Sequence, residues 1–424
     1  MKRTRVTLQS VHIAGFRSCE RTSFTLNNQL SVLIGPNGSG KTNVLQAITM
    51  LGEWARPHRF LNRNDAATSS CRIQAEFKLK NQVTSLRSTL AFSVNEENLE
   101  DVVDTRDEWK PAALNEKTTK NNLWGNVHPE FLYQFSRSNK QLRNLPHFSR
   151  NIRIARRHSI EPYKLPEWID KRQIDRLMQV LEFRNRISYY SASQFTNPSR
   201  CPSSIEIDED RDLVRPTSIR REHHRFLFDL YLLRQTNPEK YSSYLSLIGK
   251  HGLQLIDNIQ WKEIAVSSSV VDVQSGGRVV KRNRQRLLLV PSVKVGSERL
   301  SFNQLSEGTF KTVALVFYIT TDKSDLLLIE EPEVCVHHGL LASIVELIKT
   351  QSSEKQIIVS THSDYVLDQV KPEQVFSVKR FKTKGTVVRP LSTGYPRETI
   401  EALRQHLQYS GNLGEFWRQG GLDN

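Results

Sequence analysis

Four short stretches of the chain carry residue types that together could bind and cleave a nucleoside triphosphate. Gly35, Gly40, Lys41 and Thr42 stand in "GPNGSGKT", a GxxxxGK[ST] spacing with an apolar run, "LSVLI", before it and an apolar-periodic stretch after it. Glycines let such a loop close around a phosphate, and its N–H groups plus the helix N-terminus form a preorganised anion site. Asn37, Gly38, Ser39 and Asn43 complete the candidate cradle. Lys41 would bridge the β- and γ-phosphates of ATP, and Thr42 would ligate Mg²⁺.

Far downstream, "DLLLIEEPE" is an apolar strand ending in two acids, Glu330 and Glu331. Hydrolysis needs one carboxylate to help hold the metal and another to orient the attacking water; adjacent residues at a strand's end can divide those roles. His362 follows another apolar strand, "QIIVS", and could bond the γ-phosphate or the water. In "LSEGTFKTVALVF", Ser306 and Gly308 stand at the start of an apolar helix, a second anion-binding terminus. One nucleotide needs only one cradle, so the second terminus raises a question.

These stretches must be positioned by an α/β body. The N-terminal segments "TLQSVHIAGF" and "TSFTL" alternate, whereas "LSVLI" is continuous, as in a strand buried on both faces. "RIQAEFKL" and "TLAFSV" predict further strands. Gln74 is the nearest candidate for a Q-loop residue, but its pattern places it inside a strand. Near Glu96 the composition turns polar, and from there to about His251 the pattern is mainly helical, without sustained heptads. "WKEIAVSSSVVDV", an "SGG" turn and "RVVKRNRQRLLLV" predict a strand-rich return. The expected organisation is an N-terminal half-head at 1–95, a mainly helical basic insertion at 96–285, a C-terminal half-head at 286–375 and a tail at 376–424.

The chain's 424 residues hold 38% hydrophobic and 25% charged residues, and no apolar run approaches the length of a bilayer span. The longest, around Val313 to Ile319, is core-sized. The basic start (Lys2, Arg3, Arg5) leads into an alternating segment instead of a signal-peptide core, so a cytoplasmic protein with no membrane partner is expected. Cys19, Cys71, Cys201 and Cys335 lie far apart, which suggests neither a disulfide framework nor a zinc site. The net charge of +15 concentrates at Arg137 to Arg157, Arg215 to Arg221 and Arg278 to Arg286. Such clusters fit DNA phosphates, an acidic protein partner or a solvated face equally well. The acidic run "IEIDEDRD" reads as a solvated loop, and His223 and His224 as surface or core residues.

The order "GPNGSGKT", "LSEGT", "LLLIEEPE", "STHSDYVL" resembles the ABC-class ATPases of the SMC, Rad50 and RecF type, and more closely the OLD family and the ATPase subunits of the Septu and PARIS anti-phage systems. The resemblance implies an ABC/SMC-type P-loop head split by an insertion. It further implies a homodimer or higher homo-oligomer, in which Ser306 and Gly308 of one copy close on ATP held at Lys41 and Thr42 of another. Glu330 matches the metal-binding Walker B acid, Glu331 the catalytic glutamate and His362 the switch histidine. Arg17, in "GFRS", matches an arginine that can reach the nucleotide. Most of the class have Asp where Glu330 stands, and OLD-like members have the double glutamate. Full OLD proteins continue into a nuclease domain, for which the stretch after His362 is too short and lacks the acidic constellation. The expectation is therefore a sensor or regulator of a separate nuclease or toxin encoded nearby, triggered by DNA or a phage protein. A RecF-like DNA-repair ATPase is the alternative.

Overall fold

The computed structural model describes residues 5–52, 70–80, 82–94, 101–110, 125–126, 171–208, 222–273, 279–334, 336–409 and 411–422. In chain order, the first half contains β1 (Val6–Phe16), β2 (Cys19–Thr25), β3 (Leu30–Ile34), α1 (Lys41–Gly52), β4 (Ser70–Leu79), β5 (Gln82–Val94), β6 (Asp101–Lys110), β7 (Gly125–Asn126), α2 (Lys171–Asn185), β8 (Ile187–Ser191) and β9 (Ile205–Asp208). There follow α3 (Glu222–Thr236), α4 (Pro238–Ile248), β10 (Asn258–Val273), β11 (Val279–Val295), β12 (Glu298–Leu300) and α5 (Glu307–Thr321). The rest comprises β13 (Leu326–Glu330), α6 (His338–Ser352), β14 (Gln356–Thr361), α7 (Asp364–Asp368), β15 (Val375–Phe381), β16 (Gly385–Pro390), α8 (Arg397–Tyr409) and α9 (Leu413–Arg418). These elements cluster into two compact units. The first takes Met1–Tyr189, Lys323–Glu330 and Lys349–Asn424, the second Tyr190–Asp322 and Glu331–Ile348.

The first unit is built on two sheets. One runs β2-β1-β4-β5-β6-β7 and is antiparallel throughout. The other has the order β16-β15-β3-β14-β13-β8, with β15, β3, β14 and β13 parallel. Every residue of β3, β13 and β14 is buried, which explains why their sequences are continuous apolar runs instead of alternating ones. Val44, Leu45 and Ile48 of α1 join Ile13, Ile73 and Phe77 of the antiparallel sheet and Leu33, Leu328, Ile358 and Phe376 of the parallel sheet in one core. Burying each such side chain is worth roughly 1.5–3 kcal/mol. Helix α1 is thus fixed along its length, and its first residue is Lys41.

The second unit is centred on α5. Phe226 meets Phe317 edge-on at 5.5 Å and Phe310 at 5.8 Å, and Phe195 stacks on Tyr190 at 5.3 Å. Two tyrosine hydroxyls donate to α5 carbonyls, Tyr190 to Lys311 at 3.1 Å and Tyr244 to Val313 at 3.0 Å. The strand-rich return is the β10–β11 hairpin, with β9 and β12 also pairing β11.

Three expectations need correction. The mainly helical stretch expected from about 96 begins with a strand, β6, paired along β5. Its sequence, "DVVDTRDEWK", has no apolar alternation to announce it, because ladder hydrogen bonds to a neighbour suffice at the margin of a sheet. The start of "IEIDEDRD" is strand β9, with Glu206 accepting from Arg286 Nη1 at 2.9 Å; residues 209–212 lie outside the described residues. Residues 376–424 are more than a tail, since β15 and β16 complete the parallel sheet and α9 packs on α7 through Gly414 N–H donating to Asp368. The clusters at 137–157 and 215–221, the "SGG" turn and Cys335 lie outside the described residues.

Candidate functional site

The chain leaves the buried β3 at Ile34 and enters α1 at Lys41, so the glycine-rich stretch is the turn between them. Its glycines answer three separate demands. A Cβ on Gly35 would lie 2.3 Å from the Val378 carbonyl oxygen, so β15 approaches too closely for any side chain. Gly38 has φ +78°, which side chains rarely adopt. Gly40 combines φ +103° with Thr386 Oγ1 at 2.1 Å from where its Cβ would be. The loop is therefore shaped by the C-terminal hairpin as much as by its own sequence. Thr386 is fully buried and donates to Ser18 Oγ at 2.8 Å, with Ser39 O also in reach at 3.2 Å.

Lys41 is 5% exposed, and its Nζ donates to the Gly35 and Pro36 carbonyls at 2.7 and 3.2 Å, which curls the ammonium back over the loop. Asn37 is exposed at the tip of the turn. Ser39 Oγ is buried with no hydrogen-bond partner. Asn43, on the first turn of α1, donates to Ser18 Oγ at 2.6 Å and accepts from Arg17 Nη1 at 3.3 Å. Arg17, at φ +47° in the β1–β2 turn, also donates to Gln46. Arg17 and Asn43 are thus brought to the same helix end as Lys41.

The two acids separate at once. Glu330 closes β13 at 8% exposure, and its two oxygens take two hydroxyl donors: Thr42 on Oε1 and Tyr189 on Oε2. Glu331 follows with φ +47°, a left-handed conformation that is strained for a residue with a side chain. Such strain is found where surroundings fix a functional group, and here it turns the chain between neighbouring carboxylates. His362 is exposed and comes directly after β14. Because β14 lies between β3 and β13, with Thr361 opposite Ile34 and Ser360 opposite Glu330, the loop, the acid and the histidine share the carboxyl edge of adjacent parallel strands. That edge is where open α/β sheets bind ligands.

Ser306 and Gly308 belong to the second unit. Ser306 caps α5, its hydroxyl accepting from Thr309 N–H at 3.2 Å, and both Ser306 and Glu307 are exposed. The serine-capped start of this fifteen-residue helix is thereby exposed. Gln74 is mid-strand in β4, opposite His12. His223 is core, stacked on Phe310 at 5.3 Å, and burial lowers its pKa. Cys19, Cys71 and Cys201 are buried free thiols; burial raises Cys71 and Cys201 to about 12. Among the described residues no cluster of three or more His, Cys, Asp or Glu could hold a metal, and no helix is long and apolar enough to cross a membrane. Two residues that the motifs do not announce are Tyr189 and Thr386, which reach the site from strands remote in sequence.

A loop cradle, a lysine at a helix start, a hydroxyl–carboxylate pair and a histidine on one sheet edge are the parts of a P-loop ATPase. Residues 30–368 match the AAA_21 family, described as "AAA domain, putative AbiEii toxin, Type IV TA system". The chain belongs to this family. Its fold class is α/β, with the glycine-rich loop between a buried parallel strand and a helix, as expected from the sequence. This AAA_21 protein is similar to "Retron Vc95 probable ATPase" of Vibrio cholerae serotype O1 biovar El Tor, at 22% identity over 94% of this chain and 78% of that protein. A local stretch of 74 residues is 36% identical to the "DNA replication and repair protein RecF" of Leptospira biflexa, covering 17% of this chain and 20% of that one. Among solved structures, the SMC head domain of Thermotoga maritima is similar at 12% identity and a TM-score of 0.40, over 91% of this chain and 98% of that chain.

Proposed function

We propose that this AAA_21 protein binds and hydrolyses Mg²⁺-ATP between two copies of itself and uses the nucleotide state to control a companion effector, a nuclease or toxin, in anti-phage defence. The carrying observation is the convergence of Lys41, the Thr42–Glu330 pair and His362 on the carboxyl edge of β3, β14 and β13. The residues suit the ligand. Thr42 and Glu330 are hard oxygen donors of the kind Mg²⁺ prefers, and the buried, unpartnered Ser39 hydroxyl and the glycine-shaped loop suit phosphate oxygens.

Held by Thr42 and Glu330, Mg²⁺ would supply neutralisation of the charge that develops on phosphate oxygens. Lys41 moves its donors from the loop carbonyls to phosphate oxygens, an exchange that leaves the ammonium hydrogen-bonded throughout. Glu331 orients the attacking water and accepts its proton. His362 bonds the γ-phosphate. Ser306 and Gly308 offer the α5 terminus to the γ-phosphate held by the other copy, so subunit affinity depends on whether that phosphate is present. The likeness to a retron ATPase supports the defence role. Cytoplasmic residence accords with it.

The test is purification with and without Mg²⁺-ATP together with the product of the adjacent gene. The expected result is nucleotide-dependent assembly of this chain and nucleotide-dependent retention of the companion. Identical mass and retention in both conditions would overturn the proposal. The local likeness to RecF favours a second reading, ATP-dependent duplex-DNA binding by the β11 segment containing Arg282, Arg284 and Arg286. Neutralising the three would then weaken DNA binding and flatten its salt dependence. Arg286 is already paired with Glu206, which leaves less charge for phosphates on that strand.

A further inference from the structure

The second oxygen of Glu330 has a partner that the ATPase motifs do not supply. Tyr189 lies on β8, next to β13 in the sheet, and its hydroxyl donates to Glu330 Oε2 while Thr42 donates to Oε1. The ring itself is half-buried against the core that holds Leu326 and Leu328 of β13, so the hydroxyl is aimed by packing instead of by a mobile side chain. A carboxylate only 8% exposed has few ways to keep its charge satisfied, and two hydroxyl donors on opposite oxygens leave it one orientation.

We propose that Tyr189 is a positioning residue for Mg²⁺, holding the Glu330 carboxylate in the orientation in which it and Thr42 share the metal. This rests on the nucleotide-binding reading above and deepens it. A threonine hydroxyl can donate its proton to Glu330 and still offer a lone pair to a cation, so the Thr42–Glu330 bond is compatible with metal binding. The tyrosine bond occupies the far oxygen and leaves the near one on the Thr42 side. Without it, Glu330 can turn about its terminal torsion, which is broad for glutamate, and the metal loses a preset ligand. Outer-shell partners of this type commonly change metal affinity about 10–100-fold when removed. Because Tyr189 acts through the metal-binding carboxylate of Glu330, metal-free nucleotide affinity should not change.

The experiment is a Mg²⁺ titration at fixed ATP, read as the rise in melting temperature, on wild type and Tyr189→Phe, with ATP affinity in EDTA measured beside it. The phenylalanine keeps the ring. The expected result is a half-effect Mg²⁺ concentration raised about tenfold with unchanged affinity in EDTA. In a Glu330→Gln background, Tyr189→Phe should add nothing further, because the tyrosine acts through that carboxylate. Tyr190→Phe, which removes a hydroxyl bonded to the Lys311 carbonyl, should lower the melting temperature without moving the Mg²⁺ midpoint. Equal Mg²⁺ midpoints for wild type and Tyr189→Phe, or additive effects with Glu330→Gln, would overturn the proposal while leaving the ATPase reading intact. Absence of any Mg²⁺-dependent ATP binding by wild type would overturn both.

Discussion

Around Lys41 the first unit is tied together by directional hydrogen bonds from segments far apart in the chain, whereas the α5 helix of the second unit is seated on aromatic rings. Thr386 reaches Ser39 of the loop over a separation of 347 residues, and Tyr189 reaches Glu330 over 141. By contrast, α5 is held by Phe226, Phe302 and Tyr244, and at its start Ser306 and Glu307 are exposed. The difference matches two physical tasks. A cradle must hold individual donors to a fraction of an ångström, and directional hydrogen bonds add that precision to the packing beneath it. A helix terminus offered to another molecule needs only a firm base and an unobstructed end.

This contrast can be broken at several places. The largest effect is expected for Lys41→Ala, which should abolish ATP binding in a calorimetric titration while leaving the α5 side folded. Glu331→Gln comes next; it should bind ATP but turn over at least about a hundredfold more slowly in a single-turnover assay, and normal turnover would refute its role. Ser306→Arg should retain ATP binding by the single chain and lose ATP-driven association, a split visible by sedimentation. Thr386→Val, which strips the hydroxyl bracing Ser18 and the loop, should cost about 1–3 kcal/mol in urea unfolding and weaken ATP binding only modestly.

The smallest effect concerns pH and the second unit alone. Burial, with Arg200 and His224 nearby, lowers the pKa of His223 below its ordinary 6.5, so the unfolded chain takes up this proton before the folded one. Stability should therefore be full above pH 6.5 and fall as pH drops from there through the lowered folded value. In His223→Phe, denaturation between pH 7 and 5 should lose that part of its slope. An unchanged slope would remove His223 as its source.

How much was legible in the sequence follows from the same contrast. The P-loop, the β13 and β14 strands and the α5 cap were readable because each is local: an apolar run followed within a few residues by the group it positions. Strand β6 was missed because its polar sequence carries no period, and β9 because it is short and acidic. Tyr189 and Thr386 left no signal, since a tyrosine in the middle of "ISYYS" or a threonine in "GTVVRP" acquires its role only once the sheet order places β8 beside β13 and β16 at the outer edge of the parallel sheet. The glycines were recognised as a motif, but the reason for Gly35 and Gly40, close approach of β15 and β16, is a tertiary fact.

The central claim is that each nucleotide is held by the loop of one copy and the α5 terminus of another. Mixing Lys41→Ala with Ser306→Arg protein tests it most directly, because only a mixed pair can assemble one intact composite site. The account predicts that two inactive proteins recover Mg²⁺-ATP-dependent association and hydrolysis on mixing; a mixture as inert as either parent would contradict it.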